Sequence, residues 1–222
     1  SQAEAVVRLL AQETPAFEYL DEISGIIAMM RAAADLERGK NPTSAIEKAR
    51  AILSRAIAKT PTDIDDRLWR VQLELLALRW SVEQGSADPR PLDEAFLLVE
   101  PLLKAPAEDP RLPATLAELH EARASLHARQ GKDATIAIER GMSYAGEALA
   151  KNPRYARALL AQGKLWLHRA RAAREAGPRR AAAARAVASF EATIRSNPLL
   201  VRAHAASVEE ARKLAEERSA GR

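Results

Sequence analysis

At 222 residues, 47% of them hydrophobic and with a formal net charge of +4, the chain has ample material for a packed core and is not disordered. The absence of cysteine excludes a disulfide framework and any thiolate metal site, and a reducing compartment, the cytoplasm, is expected. The longest purely apolar run, Ile26 to Met30, falls far short of the roughly 18–20 residues needed to cross a bilayer, so no membrane partner is expected.

Alanine, leucine, arginine and glutamate dominate, aromatics are only 4%, and β-branched runs are missing, which predicts an all-α fold. The positive net charge hides a division. Residues 1–110 hold 13 Lys and Arg against 19 Asp and Glu, a balance of −6, whereas the remainder holds 21 against 11, a balance of +10. A basic half of this kind either attracts nucleic acid or another polyanion or is a set of solvated helix faces.

Along the chain, Pro15, Pro61, Pro106, Pro153 and Pro198 recur every 45–47 residues, and Gly39, Gly85, Gly131, Gly177 and Gly221 follow them by 23–25. Proline disfavours helical geometry in the residue before it, and glycine takes the left-handed conformation that ends a helix, so each period holds two helices. The predicted order is a half repeat over residues 1–15, repeats over 16–61, 62–106, 107–153 and 154–198, and a capping helix over 199–222, all in one continuous domain. Because the chain opens on a second helix, at Ser1 rather than methionine, a fragment of a longer protein is expected.

In repeat 16–61, Gly25 sits inside the first helix, Ser44 and Glu47 form a possible capping box, and Ala49, Leu53 and Ala56 line the second helix. Repeat 62–106 opens on Asp63, Asp65 and Asp66, where carboxylates complement a helix N-terminus, a metal site being the other reading. Its first helix buries Leu68, Val71, Leu75 and Leu78, and Pro101 predicts a kink or break in its second. Repeat 107–153 places Ala117 in the small-residue position and Asp133 as a helix cap, followed by Gly141, Ala145 and Ala148. Repeat 154–198 carries Leu160, Gly163, Leu167 and Ala170, a Gly177-Pro178 break, and then Ala186 and Phe190. Glycine at the same place in two first helices costs roughly 1 kcal/mol of propensity each time and predicts close helix approach there.

No catalytic constellation emerges. His120 and His127 lie seven apart, outside the three- or four-residue spacing of a helical metal pair, and no glycine-rich phosphate loop or nucleophile elbow is present. A non-enzymatic chain without cofactor or metal is expected. Trp69, Trp80 and Trp166 read as packing residues, and Met29 and Met30 as core or groove.

The order Gly163, Ala186, Phe190, Ile194, Asn197, Pro198 resembles the tetratricopeptide repeat, with about 11 residues inserted around Gly177. At the aromatic place of the first helix the chain has Trp166, but Ala28, Glu74 and His120 in the other repeats. The resemblance implies a right-handed α-solenoid of antiparallel helix pairs, here with lengthened repeats of about 45–47 residues, that holds a protein or peptide on its concave first helices. Carrying over the inward positions nominates Tyr19, Ile26, Met30, Gln72, Arg157, Lys164, His168, Arg202 and Arg212 for partner binding. The family's lysine and asparagine clamp for C-terminal carboxylates is not reproduced. Lengthened Ala-Arg-rich repeats also look like the C-terminal region of bacterial serine/threonine protein kinases, which implies a scaffold in a larger signalling protein. The alternative is nucleic-acid or polyanion binding by the basic half.

Overall fold

The computed structural model describes residues 2–13, 19–104, 108–202 and 204–217, so the markers Pro15, Pro106 and Gly221 lie outside the described residues. The described residues are helical and contain no strand. The chain forms two compact units, Ser1–Lys104 and Ala105–Arg222. The division falls in the proline-rich connection and separates the charge: the first unit has a balance of −4 and the second +8.

In the first unit, α1 (Gln2–Glu13) is followed by α2 (Leu20–Glu37), α3 (Thr43–Lys59), α4 (Ile64–Glu83) and α5 (Arg90–Val99). A 3-10 turn over Glu100–Lys104 carries Pro101, so the predicted break in this helix is present. The α2–α3 and α4–α5 pairs pack together, α3 packs on α4, and α2 also reaches α4. Their core holds Ala28, Ala32, Ile46, Ala49, Leu53, Leu73 and Ala77, with Met29, Trp69 and Leu76 packed against it.

The second unit comprises α6 (Arg111–Arg129), α7 (Thr135–Lys151), α8 (Ala156–Ala172), α9 (Ala176–Ser196), α10 (Pro198–Arg202) and α11 (Ala205–Glu216). Here α6–α7 and α8–α9 are the paired helices, α8 also packs on both α6 and α7, and α11 lies on α9. Phe190, Leu160, Leu167, Val201 and Val208 share one apolar cluster, while alanines from α6, α7 and α8 (Ala117, Ala145, Ala161) share another.

The small first-helix residues mark close approach, as expected. A Cβ on Gly25 would lie 2.5 Å from Leu53 Cδ2, and one on Gly163 would lie 2.8 Å from Phe190 Cδ1 and Cε1. Gly141 supplies the same clearance in a second helix, where its missing Cβ would meet Leu165 Cδ1 and Cδ2 at 2.9 Å. Helix ends follow the marker glycines in three cases: Gly39, Gly85 and Gly131 have φ of 67°, 76° and 66°, a left-handed turn that a side chain would strain.

Several local expectations are corrected. Gly177 ends no helix: α8 stops at Ala172, and Gly177 and Pro178 sit in the first turn of α9, where proline's missing N–H costs nothing. Ser44 and Glu47 form no capping box, because α3 begins at Thr43 with Ser44 already inside it, and Asn41 Oδ1 accepts the Thr43 N–H at 2.9 Å. The terminal helix is interrupted, His204 standing between α10 and α11. Asp133 is not the N-cap of α7, which is Ala134, but from one residue earlier it accepts from the Thr135 N–H at 2.9 Å and from its hydroxyl at 2.7 Å.

Candidate interaction surfaces

In the first unit Tyr19, just before α2, and Met30 within it are 48% and 63% exposed, and Ile26 between them is half-buried. The spacing of four puts Ile26 and Met30 on one face of α2, with Tyr19 at the start of the helix seven residues before Ile26. Gln72 is half-buried on α4. Met29, one residue from Met30, turns into the core instead.

An acidic end adjoins these residues. Asp63 caps α4, accepting the Asp65 N–H at 2.7 Å, so part of the cluster serves the helix start. Asp66 is only 3% exposed; Oδ2 accepts from the Thr60 hydroxyl at 2.8 Å, and Oδ1 is buried without a hydrogen bond. Burial, reinforced by the neighbouring aspartates, raises the Asp66 carboxyl above its ordinary range. Burial raises Glu22 as well, with Asp66, Asp63 and Asp65 adding to the effect, while the Trp69 indole donates to it. Asp21 moves the other way, held down by Lys59, whose Nζ lies 2.5 Å from Oδ2. Among the described residues no group of three or more His, Asp or Glu is arranged to hold a metal ion.

Ala28, Glu74, His120 and Trp166, set 46 residues apart in the sequence, have four different environments. Ala28 joins the apolar core. Glu74, 1% exposed, accepts from Arg50 Nε at 3.0 Å and Nη2 at 2.7 Å and is also paired with Arg70. Burial and the neighbouring Arg50 cation lower Arg70 to about 10. His120 stacks on Tyr144 at a centroid distance of 5.6 Å and an interplanar angle of 13°. Burial, with Arg123 and Arg140 nearby, lowers its pKa to about 4, so the ring is neutral at physiological pH. Trp166 is half-buried, and the guanidinium carbons of Arg169 and Arg185 lie over its ring at 5.3 and 4.6 Å.

In the second unit the nominated cations of α8 are turned onto carboxylates of α6. Arg157 donates to Glu118 from Nε at 2.8 Å and Nη2 at 2.5 Å. Burial opposes the Arg157 charge, but the Glu118 carboxylate outweighs it and raises the pKa. Lys164 Nζ lies 2.8 Å from Glu121 Oε2, and His168 Nε2 lies 3.2 Å from Glu121 Oε1, with His168 only 7% exposed. Burial would raise Glu121, yet Lys164 and His168 together hold it well below the ordinary carboxylate range. Further along α8, Arg171 donates to Glu210 of α11 at 2.7 and 2.6 Å. Arg157, Lys164 and His168 therefore bind α8 to α6 rather than standing as free donors. Arg212 is exposed on α11, and the side chain of Arg202 lies outside the described residues.

A comparison with protein-family models, curated proteins and solved structures finds no match. The features that sequence reasoning missed are the acidic partners Glu118, Glu121 and Glu210 and the cations over Trp166. The separations of these carboxylates from the cations they hold range from 39 to 47 residues, so no single spacing in the sequence marks them.

Proposed function

We propose that the chain is a non-catalytic scaffold that holds a protein or peptide partner on its first helices. The observation that carries this reading is the set of Tyr19 at the start of α2 and Ile26 and Met30 within it, with two large apolar side chains exposed beside a buried core face. Methionine adapts its shape to different partners at low cost, and an exposed tyrosine offers an apolar ring with a polar tip. The acidic residues next to this set favour a partner segment that combines apolar and basic side chains.

The tetratricopeptide-like, right-handed solenoid arrangement belongs to the same proposal. Its support is the return of a small residue at multiples of 46, Gly25, Ala117 and Gly163, two of them at close helix approaches. A cytoplasmic place within a larger bacterial signalling protein rests on the resemblance to kinase C-terminal repeat regions and on the absence of cysteine. The test is a photo-crosslinking residue at position 30 or 26, with position 184 on α9 as an exposed control. A polypeptide joined at α2 but not at the control, and lost in Met30→Glu without a fall in thermal stability, is the expected outcome. Equal labelling at all three positions would overturn the reading.

A second reading, polyanion or nucleic-acid binding, draws on the +8 balance of the second unit. Its test is a steep fall of oligonucleotide affinity with salt, as phosphate contacts release counterions. The carboxylates already seated on Arg157, Lys164 and Arg171 make it the weaker of the two.

A further inference from the structure

Cations of the second unit differ in what holds them. Arg157, Lys164, Arg171 and Arg179 each have a carboxylate partner. Arg169 on α8 and Arg185 on α9 have none among the described residues; both are exposed, and what holds them is the indole of Trp166. Trp166 itself packs against Ala170, Ala182 and Ala183, so the platform is anchored in the α8–α9 contact. A ring face restrains a guanidinium without neutralising it, because the quadrupole attracts the cation but carries no charge of its own. Because both guanidinium carbons lie within 5.3 Å of one ring centroid, an extended segment carrying several carboxylates can reach the two of them at once.

We propose that Arg169 and Arg185, presented by Trp166, form a binding site for the carboxylates of an acidic peptide segment. Restraint on the indole removes part of the side-chain entropy that a free arginine loses on binding, and each planar fork can take a carboxylate through two parallel N–H donors. The geometry favours an acidic peptide over single-stranded nucleic acid, since the guanidinium groups occupy the ring that a base would need for stacking. Two cations are also a short track beside the six to ten phosphate contacts, roughly, that give tight nucleic-acid binding. This site is separate from Tyr19, Ile26 and Met30 of the first unit. It rests on the scaffold reading only in taking its anion from a polypeptide.

The experiment uses the full chain and a fluorescein-labelled octaglutamate peptide, followed by anisotropy at low salt. Saturable binding is expected, weakened at least about tenfold in Arg169→Gln/Arg185→Gln by loss of charge-assisted bonds. The control Arg174→Gln/Arg195→Gln removes the same charge from two other exposed arginines of this unit, and stays within about twofold of wild type if only the general field is reduced. No saturable binding, equal losses in the two double variants, or tighter binding of an oligothymidylate of matched charge would each overturn the proposal. None of these results bears on crosslinking at Met30, so the two readings fail separately.

Discussion

The side chain that Gly163 lacks is space that Phe190 occupies: a Cβ there would meet two ring carbons at 2.8 Å, and the ring is fully buried. A rigid ring cannot move aside as the end of a leucine can. Gly163→Leu is therefore expected to destabilise the second unit by about 1–3 kcal/mol, the usual overpacking cost. Combining it with Phe190→Ala should recover part of that loss. Additive losses in denaturant unfolding would show that the two positions are independent.

Glu74 answers two arginines from a site 1% exposed. Removing the carboxylate leaves Arg70 buried against Arg50 with no acceptor between them. Glu74→Ala should cost about 3–5 kcal/mol, the range for breaking a buried ion pair from one side. Arg171→Ala, which breaks a pair whose side chains are 45% and 41% exposed, should cost about 1 kcal/mol or less. Thermal unfolding of both variants checks the ordering.

Glu22 and Asp66 predict a pH dependence of definite sign. Their folded pKa values are raised above the ordinary 4.5 and 3.8, so the ionised forms are disfavoured in the fold. The resulting penalty is absent below the ordinary values, grows as pH rises through the raised ones, and is complete above them. Glu22→Gln should therefore raise the melting temperature at neutral pH, and its advantage over wild type should disappear below the ordinary value of 4.5. An advantage independent of pH would refute the electrostatic cause.

Glu121 carries the opposite sign. Its pKa is lowered by Lys164 and His168, so its contribution is present above the ordinary 4.5 and is lost as pH falls toward the folded value. Glu121→Gln should lower stability at neutral pH by about 3 kcal/mol, as one partner of a buried pair is removed. The deficit should narrow on acidification in a urea unfolding series.

Many of the helix boundaries were legible in the sequence because they depend on backbone rules alone. Proline excludes helix before it, and glycine at Gly39, Gly85 and Gly131 accepts positive φ wherever it stands in the fold. Gly177 broke the pattern because its neighbour Pro178 favours a helix start, a local preference that outweighed the glycine. The close approaches at Gly25 and Gly163 were equally readable, since a costly residue at the same place twice needs a packing reason.

What the candidate surfaces present was not legible to the same degree. The shared face of Ile26 and Met30 follows from helix periodicity, but which of Met29 and Met30 is exposed depends on where α3 and α4 lie. The family register nominated Arg157, Lys164 and His168 for their position and charge, while their carboxylate partners sit 39 to 47 residues away on another helix. Trp166 was readable as a packing residue, but not as the platform for Arg169 and Arg185. Thus the sequence by itself determined an all-helical chain, many of its helix boundaries, and the sites where helices come close, because those follow from the chemistry of each residue and its near neighbours. Only the tertiary structure decided which charges are spent on one another and which stay available, because pairing is set by the distance between side chains on different helices.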